Sequence, residues 1–165
     1  ECAKVKRLLH IPTIIRLGDR MEEALKIGER LNELLTVKAV DNKTFAQAMG
    51  VNVSTVGRWR NGAKYMRLSQ IVKIAEFFDC SLDFLVGRTD KLLDFSPGPC
   101  PPFYPHLREL LKKKGVSRNQ INQETRIKSS HFVDWKNGAD PHILSLIELA
   151  DYLDISLDIL VGREK

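Results

Sequence analysis

Several things are scarce in this chain of 165 residues, and each scarcity removes a class of protein. There are three cysteines, Cys2, Cys80 and Cys100. Their spacing suits neither a metal site nor a disulfide framework. No apolar run is long enough to cross a bilayer, which excludes a membrane span. The stretch from Lys4 to Pro12 resembles a signal peptide only faintly, because His10, Pro12 and Arg16 interrupt it, and that reading is rejected. Histidines are few and isolated. His106 and His142 have no neighbours of the right kind, and His131 has no second ligand at metal spacing. Ser130, His131 and Asp134 fall on one short predicted helix, which cannot build a nucleophilic relay with an oxyanion hole. No enzyme activity, metal or cofactor is therefore expected, and the compartment is expected to be the reducing cytoplasm. The acidic residues around Asp151, Asp154 and Asp158 read as helix surface. Proline, too, is almost confined to one place, with five of the seven between Pro97 and Pro105.

What is present is a duplication. Trp59-Arg60-Asn61-Gly62-Ala63 returns as Trp135-Lys136-Asn137-Gly138-Ala139. Ser81-Leu82-Asp83-Phe84-Leu85-Val86-Gly87-Arg88 returns as Ser156-Leu157-Asp158-Ile159-Leu160-Val161-Gly162-Arg163. A period near 75 residues is too long for a solenoid unit and fits two copies of a small domain. Cys80 stands opposite Ile155, so it reads as a small core residue. Each copy has roughly 65 residues, near the lower limit for a stable core.

Charge is distributed the same way in both copies, although the whole chain is only mildly basic at +5. Residues 38–67 carry six cations against Asp41 alone, a balance of +5, and residues 68–90 come to −2. Residues 112–136 again reach +5, and residues 137–165 fall to −4. A basic middle followed by an acidic end would let a polyanion dock on one part of each copy and be repelled from the other. Ordinary solvated helix faces are the plainer alternative.

Apolar spacing and caps predict five helices per copy. In the first, Ile27, Leu31, Leu34 and Leu35 mark an amphipathic helix over about 22–37. Asp41 or Asn42 can cap a short helix that Gly50 ends. A second short helix over about 52–60 turns Val56 and Trp59 inward, and Asn61-Gly62 stops it. A longer helix over 68–78 follows, and then a short one capped by Ser81. The second copy repeats this from Pro105, which suits a first helical turn. Ile121 stands for Phe45, Ile127 for Val51, Phe132 for Val56 and Trp135 for Trp59. The predicted boundaries are a basic arm or leader at 1–20, a first domain at 21–90, a proline-rich linker at 91–104 and a second domain at 105–165. At about 3.1 Å per residue an extended linker of some fifteen residues reaches about 45 Å. That is enough to span one DNA turn of about 34 Å, or simply to separate two folding units.

Two short helices joined by a tight turn make a helix-turn-helix. The stretch from Phe45 to Gly62, with Ala46, Gly50, Val51, Ser54, Thr55 and Arg58, resembles the Cro/C1-type (XRE) helix-turn-helix family. The closing Leu-Asp-x-Leu-Val-Gly-Arg segments fit the same pattern. The resemblance implies an all-α chain of two lambda-repressor-like five-helix domains in tandem. It also implies roles. Val53, Ser54, Thr55 and Arg58 read base edges from the start of the recognition helix, next to Asn52. Asn42 grips a phosphate, and Asn61 meets the sugar-phosphate backbone. Lys43, Arg60 and Lys64 add charge contacts that carry no sequence information. In the second copy the matching set is Arg118, Lys128, Ser129, Ser130, His131, Asp134, Lys136 and Asn137. That copy departs from the family: Asn122 replaces the small alanine, Arg126 the turn glycine and Arg118 the phosphate-gripping amide. Asp134 repels phosphate unless it accepts from a cytosine amino group. The function implied is sequence-specific binding of double-stranded DNA by a transcriptional regulator, expected to repress by promoter occlusion. It would act as a homodimer or through pairing of its own two copies. The alternative is an antitoxin or anti-repressor whose second copy binds a protein partner.

Overall fold

The computed structural model describes residues 17–62 and 65–164, with side chains from residue 26 onward. The expectations for Lys64 and for most of the basic arm lie outside the described residues. Ten helices are found among the described residues: α1 (Leu17–Val37), α2 (Asn42–Met49), α3 (Val53–Arg60), α4 (Leu68–Phe78), α5 (Leu82–Leu85), α6 (Phe103–Lys114), α7 (Arg118–Glu124), α8 (Ser129–Lys136), α9 (Ile143–Leu153) and α10 (Leu157–Val161). The order short–short–long–very short after each leading helix occurs twice. Helix α1 begins inside the stretch read as an arm or leader, taking in residues 17–20.

In the first half the apolar stripe Ile27, Leu31, Leu34 and Leu35 of α1 is buried. It seats α1 against α3. Gly28 permits that approach, since a Cβ there would lie 2.5 Å from the carbonyl oxygen of Arg60. Asp41 caps α2 by accepting from the Thr44 amide at 2.7 Å. Gly50 closes it at φ 69°, the left-handed region that glycine enters without strain. Phe45, Val56, Trp59, Ile71 and Phe78 fill the space between α2, α3 and α4. Phe45 meets Trp59 edge-on at 6.4 Å.

The second half reaches the same arrangement with different parts. Helix α6 starts two residues before Pro105, because Phe103 is drawn into the core and meets Trp135 edge-on at 5.4 Å. Ser117 and Gln120 form a reciprocal capping box on α7. Where α2 needs a left-handed glycine, α7 ends one residue sooner. Thr125 is extended at φ −130°. Its hydroxyl donates to the Ile121 carbonyl at 2.7 Å and accepts from the Ile127 amide at 3.0 Å. The Arg126 amide then donates to Glu148 at 2.8 Å. Arg126 is not among the residues with positive φ, so the absent glycine costs nothing here. Asn122, in place of Ala46, is half-buried and donates to Ser129 Oγ at 2.7 Å.

The halves meet through contacts that each half makes in turn. The Leu68 amide donates to Pro141 O and the Ile143 amide to Met66 O, both at 2.9 Å. This pairs Arg67 with His142, its own counterpart, in an antiparallel bridge. At the other contact Asp158 accepts from the Leu82 amide at 2.8 Å, and Asp83 accepts from the Leu157 amide at 2.9 Å. Arg88 binds Asp83 at 2.6 Å and reaches the Ile155 carbonyl at 3.2 Å. Arg163 binds Asp158 at 2.7 Å and reaches the Cys80 carbonyl at 3.3 Å. Such reciprocity is what a twofold axis produces at an isologous interface. The axis is approximate, because the residues on either side are not identical.

Two expectations are corrected here. The proline-rich stretch does not hold the halves apart. Gly98 donates to Arg163 O at 2.8 Å, and Cys100 Sγ approaches Val161 O at 3.3 Å. Pro101 lies so close to Gly162 that a Cβ there would come within 2.6 Å of its ring. The stretch is therefore folded against the end of the second half, and its reach is not used. The acidic residues near Asp158 are not simply surface either: Asp158 is 0% exposed, and Asp151 pairs with Arg88 at 2.9 Å. Asp154 is exposed, in accord with the sequence reading.

Candidate nucleic-acid interface

Helix α3 follows α2 across the turn at Gly50 and is sealed on its inner face by Val56 and Trp59. Trp59 is 6% exposed, which makes it core and not a base-stacking platform. The outer face carries what the spacing places there. Val53 is 48% exposed, Ser54 and Arg58 are exposed, and Thr55 is half-buried. Arg58 Nη2 donates to Thr55 Oγ1 at 3.3 Å, so the guanidinium lies along the helix. Small side chains at the N-terminal turn and a long cation one turn later fit the major groove, where the helix axis must come close to base edges.

Around this face Lys43, Asn52 and Asn61 are exposed. Arg60 is held differently from what its sequence position implies. It is half-buried, its Nε donates to Asn32 Oδ1, and its Nη1 donates to Asn42 Oδ1 at 2.8 Å. Both acceptors are neutral amides, so they orient the guanidinium without cancelling its charge. Asn42 occupies the first turn of α2, at the positive end of the helix that Asp41 caps. Asn42, Lys43 and Arg60 thus form one small cationic corner at the edge of α3. Asn32 belongs to that corner and escapes sequence reading, because it lies on another helix and its role depends on a contact across the core.

Helix α8 presents the corresponding face of the second half. Lys128, Ser129, Ser130, Asp134, Lys136 and Asn137 are exposed, and Val133 is 54% exposed. His131 is half-buried. Its Nδ1 accepts from the Lys128 amide at 2.9 Å, and its ring lies 5.9 Å from that of Trp135. It caps its own helix. Arg118 is exposed and within 3.4 Å of the Tyr104 hydroxyl. Among the described residues no group of His, Cys, Asp and Glu side chains could hold a metal ion. No described helix is long and apolar enough to cross a membrane. Cys80 is buried, and burial pushes its thiol up to about 12.

The all-helical architecture, with an exposed second helix in each tight pair, is consistent with a helix-turn-helix fold. Residues 30–91 match the family model described as the Cro/C1-type HTH DNA-binding domain. That match covers the C-terminal end of α1 from Arg30, all of α2 to α5 and the corner just described. No curated protein and no solved structure matches the chain.

Proposed function

We propose that the chain is a sequence-specific DNA-binding transcriptional regulator built from two tandem helix-turn-helix domains, repressing by occupying a promoter. The observation that carries this reading is the division of α3: Val56 and Trp59 are buried, while Val53, Ser54 and Arg58 stand in solvent beside the corner formed by Asn42, Lys43 and Arg60. The similarity of residues 30–91 to a DNA-binding family supports it. Arg58 supplies donors to a guanine edge, and Val53 offers a methyl surface to thymine. Lys43 and Arg60 supply phosphate contacts that fix position without reading sequence.

The test is Thr55→Ala combined with Arg58→Ala, assayed on a duplex selected by the wild-type chain. Binding to the selected site should fall toward the level of random duplex, by roughly tenfold to a hundredfold. The remaining binding should weaken steeply with salt, as phosphate contacts do. Unchanged sequence preference would mean that α3 does not read the bases.

The second half supports a further reading on one observation. Apolar Val133 and acidic Asp134 stand on α8 where α3 has Gly57 and Arg58. An exposed apolar and acidic face suits a protein partner, as in an antitoxin or anti-repressor. DNA selection that is insensitive to substitutions on α8 would favour that reading for the second half.

A further inference from the structure

The contacts between the halves bear on what kind of DNA site a single chain can read. A homodimer of this chain built through its last helices would need those helices free. They are not: α5 and α10 cap each other through Asp158 on the Leu82 amide and Asp83 on the Leu157 amide. Both aspartates are buried, Asp158 at 0% and Asp83 at 8% exposure. The chain has thus consumed internally the surface through which two copies would pair.

The bridge between Arg67 and His142 lies on the approximate axis. It follows closely after both outward helices, since Arg67 lies seven positions after Arg60 and His142 six positions after Lys136. Extended backbone spans at most about 3.5 Å per residue, so the C-terminal ends of α3 and α8 are no more than about 50 Å apart. That bound includes the separation of about 34 Å at which two such helices enter successive major grooves.

The two helices then present unlike chemistry at equivalent positions. Ser54 and Ser130 match. Val53 is replaced by Ser129, Gly57 by Val133 and Arg58 by Asp134. His131 stands where α3 has Thr55, and its Nδ1 accepts from the Lys128 amide of its own helix. A guanidinium donates to the guanine edge, whereas a carboxylate accepts from the cytosine amino group. The same register position therefore favours opposite orientations of a G·C pair in the two half-sites.

We infer that one chain, paired with itself, is the complete reading unit for an asymmetric duplex site of two unlike half-sites, the second specified by Asp134 through a cytosine. This rests on the DNA-binding reading above and adds stoichiometry and sequence to it. The test uses the full-length chain. Duplexes are selected from a random pool, the mass of the complex is measured by native mass spectrometry, and Asp134→Ala and Arg58→Ala are compared base by base. The expected result is one chain per duplex and a site whose halves differ. Asp134→Ala should relax one position of the second half-site by roughly tenfold to a hundredfold and leave the first unchanged. Arg58→Ala should do the converse. Asp134 is exposed, so the variant should fold, and a matching thermal transition checks that. Two chains on identical half-sites, or an Asp134→Ala variant with wild-type preference, would overturn this inference and leave the DNA-binding reading standing. Failure to bind any duplex would overturn both.

Discussion

A carboxylate in the first turn of a helix is favourable because it faces amide groups with no partner inside the helix. Asp158 and Asp83 do this across the molecule, each for the helix of the opposite half, while Ser81 and Ser156 cap their own helices at 3.0 Å. The location has an electrostatic consequence. Burial pushes the Asp158 carboxyl up to about 6, against the pull of Arg163, and raises Asp83 in the same direction. The folded value for Asp158 lies above the unsupported value of 3.8, so between them the folded chain binds more protons than the unfolded one. This group's contribution to stability is therefore greatest at low pH and falls as pH rises from about 4 to about 6, by on the order of 2 kcal/mol. Urea titrations of the wild type and Asp158→Asn at pH 4, 6 and 8 check this. The stability difference between them should change across the lower interval and stay level across the upper one. A constant difference would show that Asp158 does not titrate there. Sequence alone placed this residue on the surface, because an aspartate in an acidic segment carries no mark that a partner amide waits some 75 residues away. The outward set on α3 was legible for the opposite reason. Val53, Ser54 and Arg58 owe their exposure to the 3.6-residue period and to the burial of Val56 and Trp59 within the same helix.

At the scale of elements, the order of helices and most of their caps follow from local chemistry. Asp41, Gly50, Ser81, Ser117 and Ser156 act within three or four residues of where they stand. The turn between α7 and α8 shows where local pattern misleads. Arg126 occupies the position of a turn glycine, which invites the expectation of strain. Ending α7 at Glu124 and tying the chain through Thr125 removes the need for a positive φ. It follows that Arg126→Gly restores the family pattern without restoring any stability. Glycine would add only freedom to the unfolded chain, a loss of about 0.5–1 kcal/mol. Thermal unfolding of the variant should show a small decrease in Tm. An increase would mean that Arg126 is strained after all. The same dependence on distant partners hid the setting of Arg60, whose amide acceptors sit on α1 and α2. It also hid Gly28, whose value lies in the carbonyl of Arg60 just beyond its missing side chain.

For the whole molecule the question is whether the halves stand or fall together. Each is close to the size at which a single core becomes marginal. Each buries its last helix partly against the other, with Leu82 and Leu157 at 1% and 0% exposure. The bridge at Arg67 and His142 adds two backbone hydrogen bonds, and Asp140 accepts from the Ser69 amide at 3.1 Å. A half released from this contact would expose the amides that Asp83 and Asp158 cap, together with an Arg163 that is 2% exposed and paired within the same cluster. Leaving such groups without partners is costly, so partial opening should be rarer than global unfolding. Ile121→Ala tests this, because Ile121 is 0% exposed in the core of the second half and belongs to α7, away from α5 and α10. Truncation there should cost about 3 kcal/mol. If unfolding is shared, the slowest amides of α2 and α4 in the first half should exchange roughly a hundredfold faster, matching those of α9. Hydrogen exchange read by mass spectrometry resolves the two halves in one experiment. Acceleration confined to α6 through α10 would show two independent bodies joined by a linker, and the contact between them would then be too weak to fix the spacing of α3 and α8.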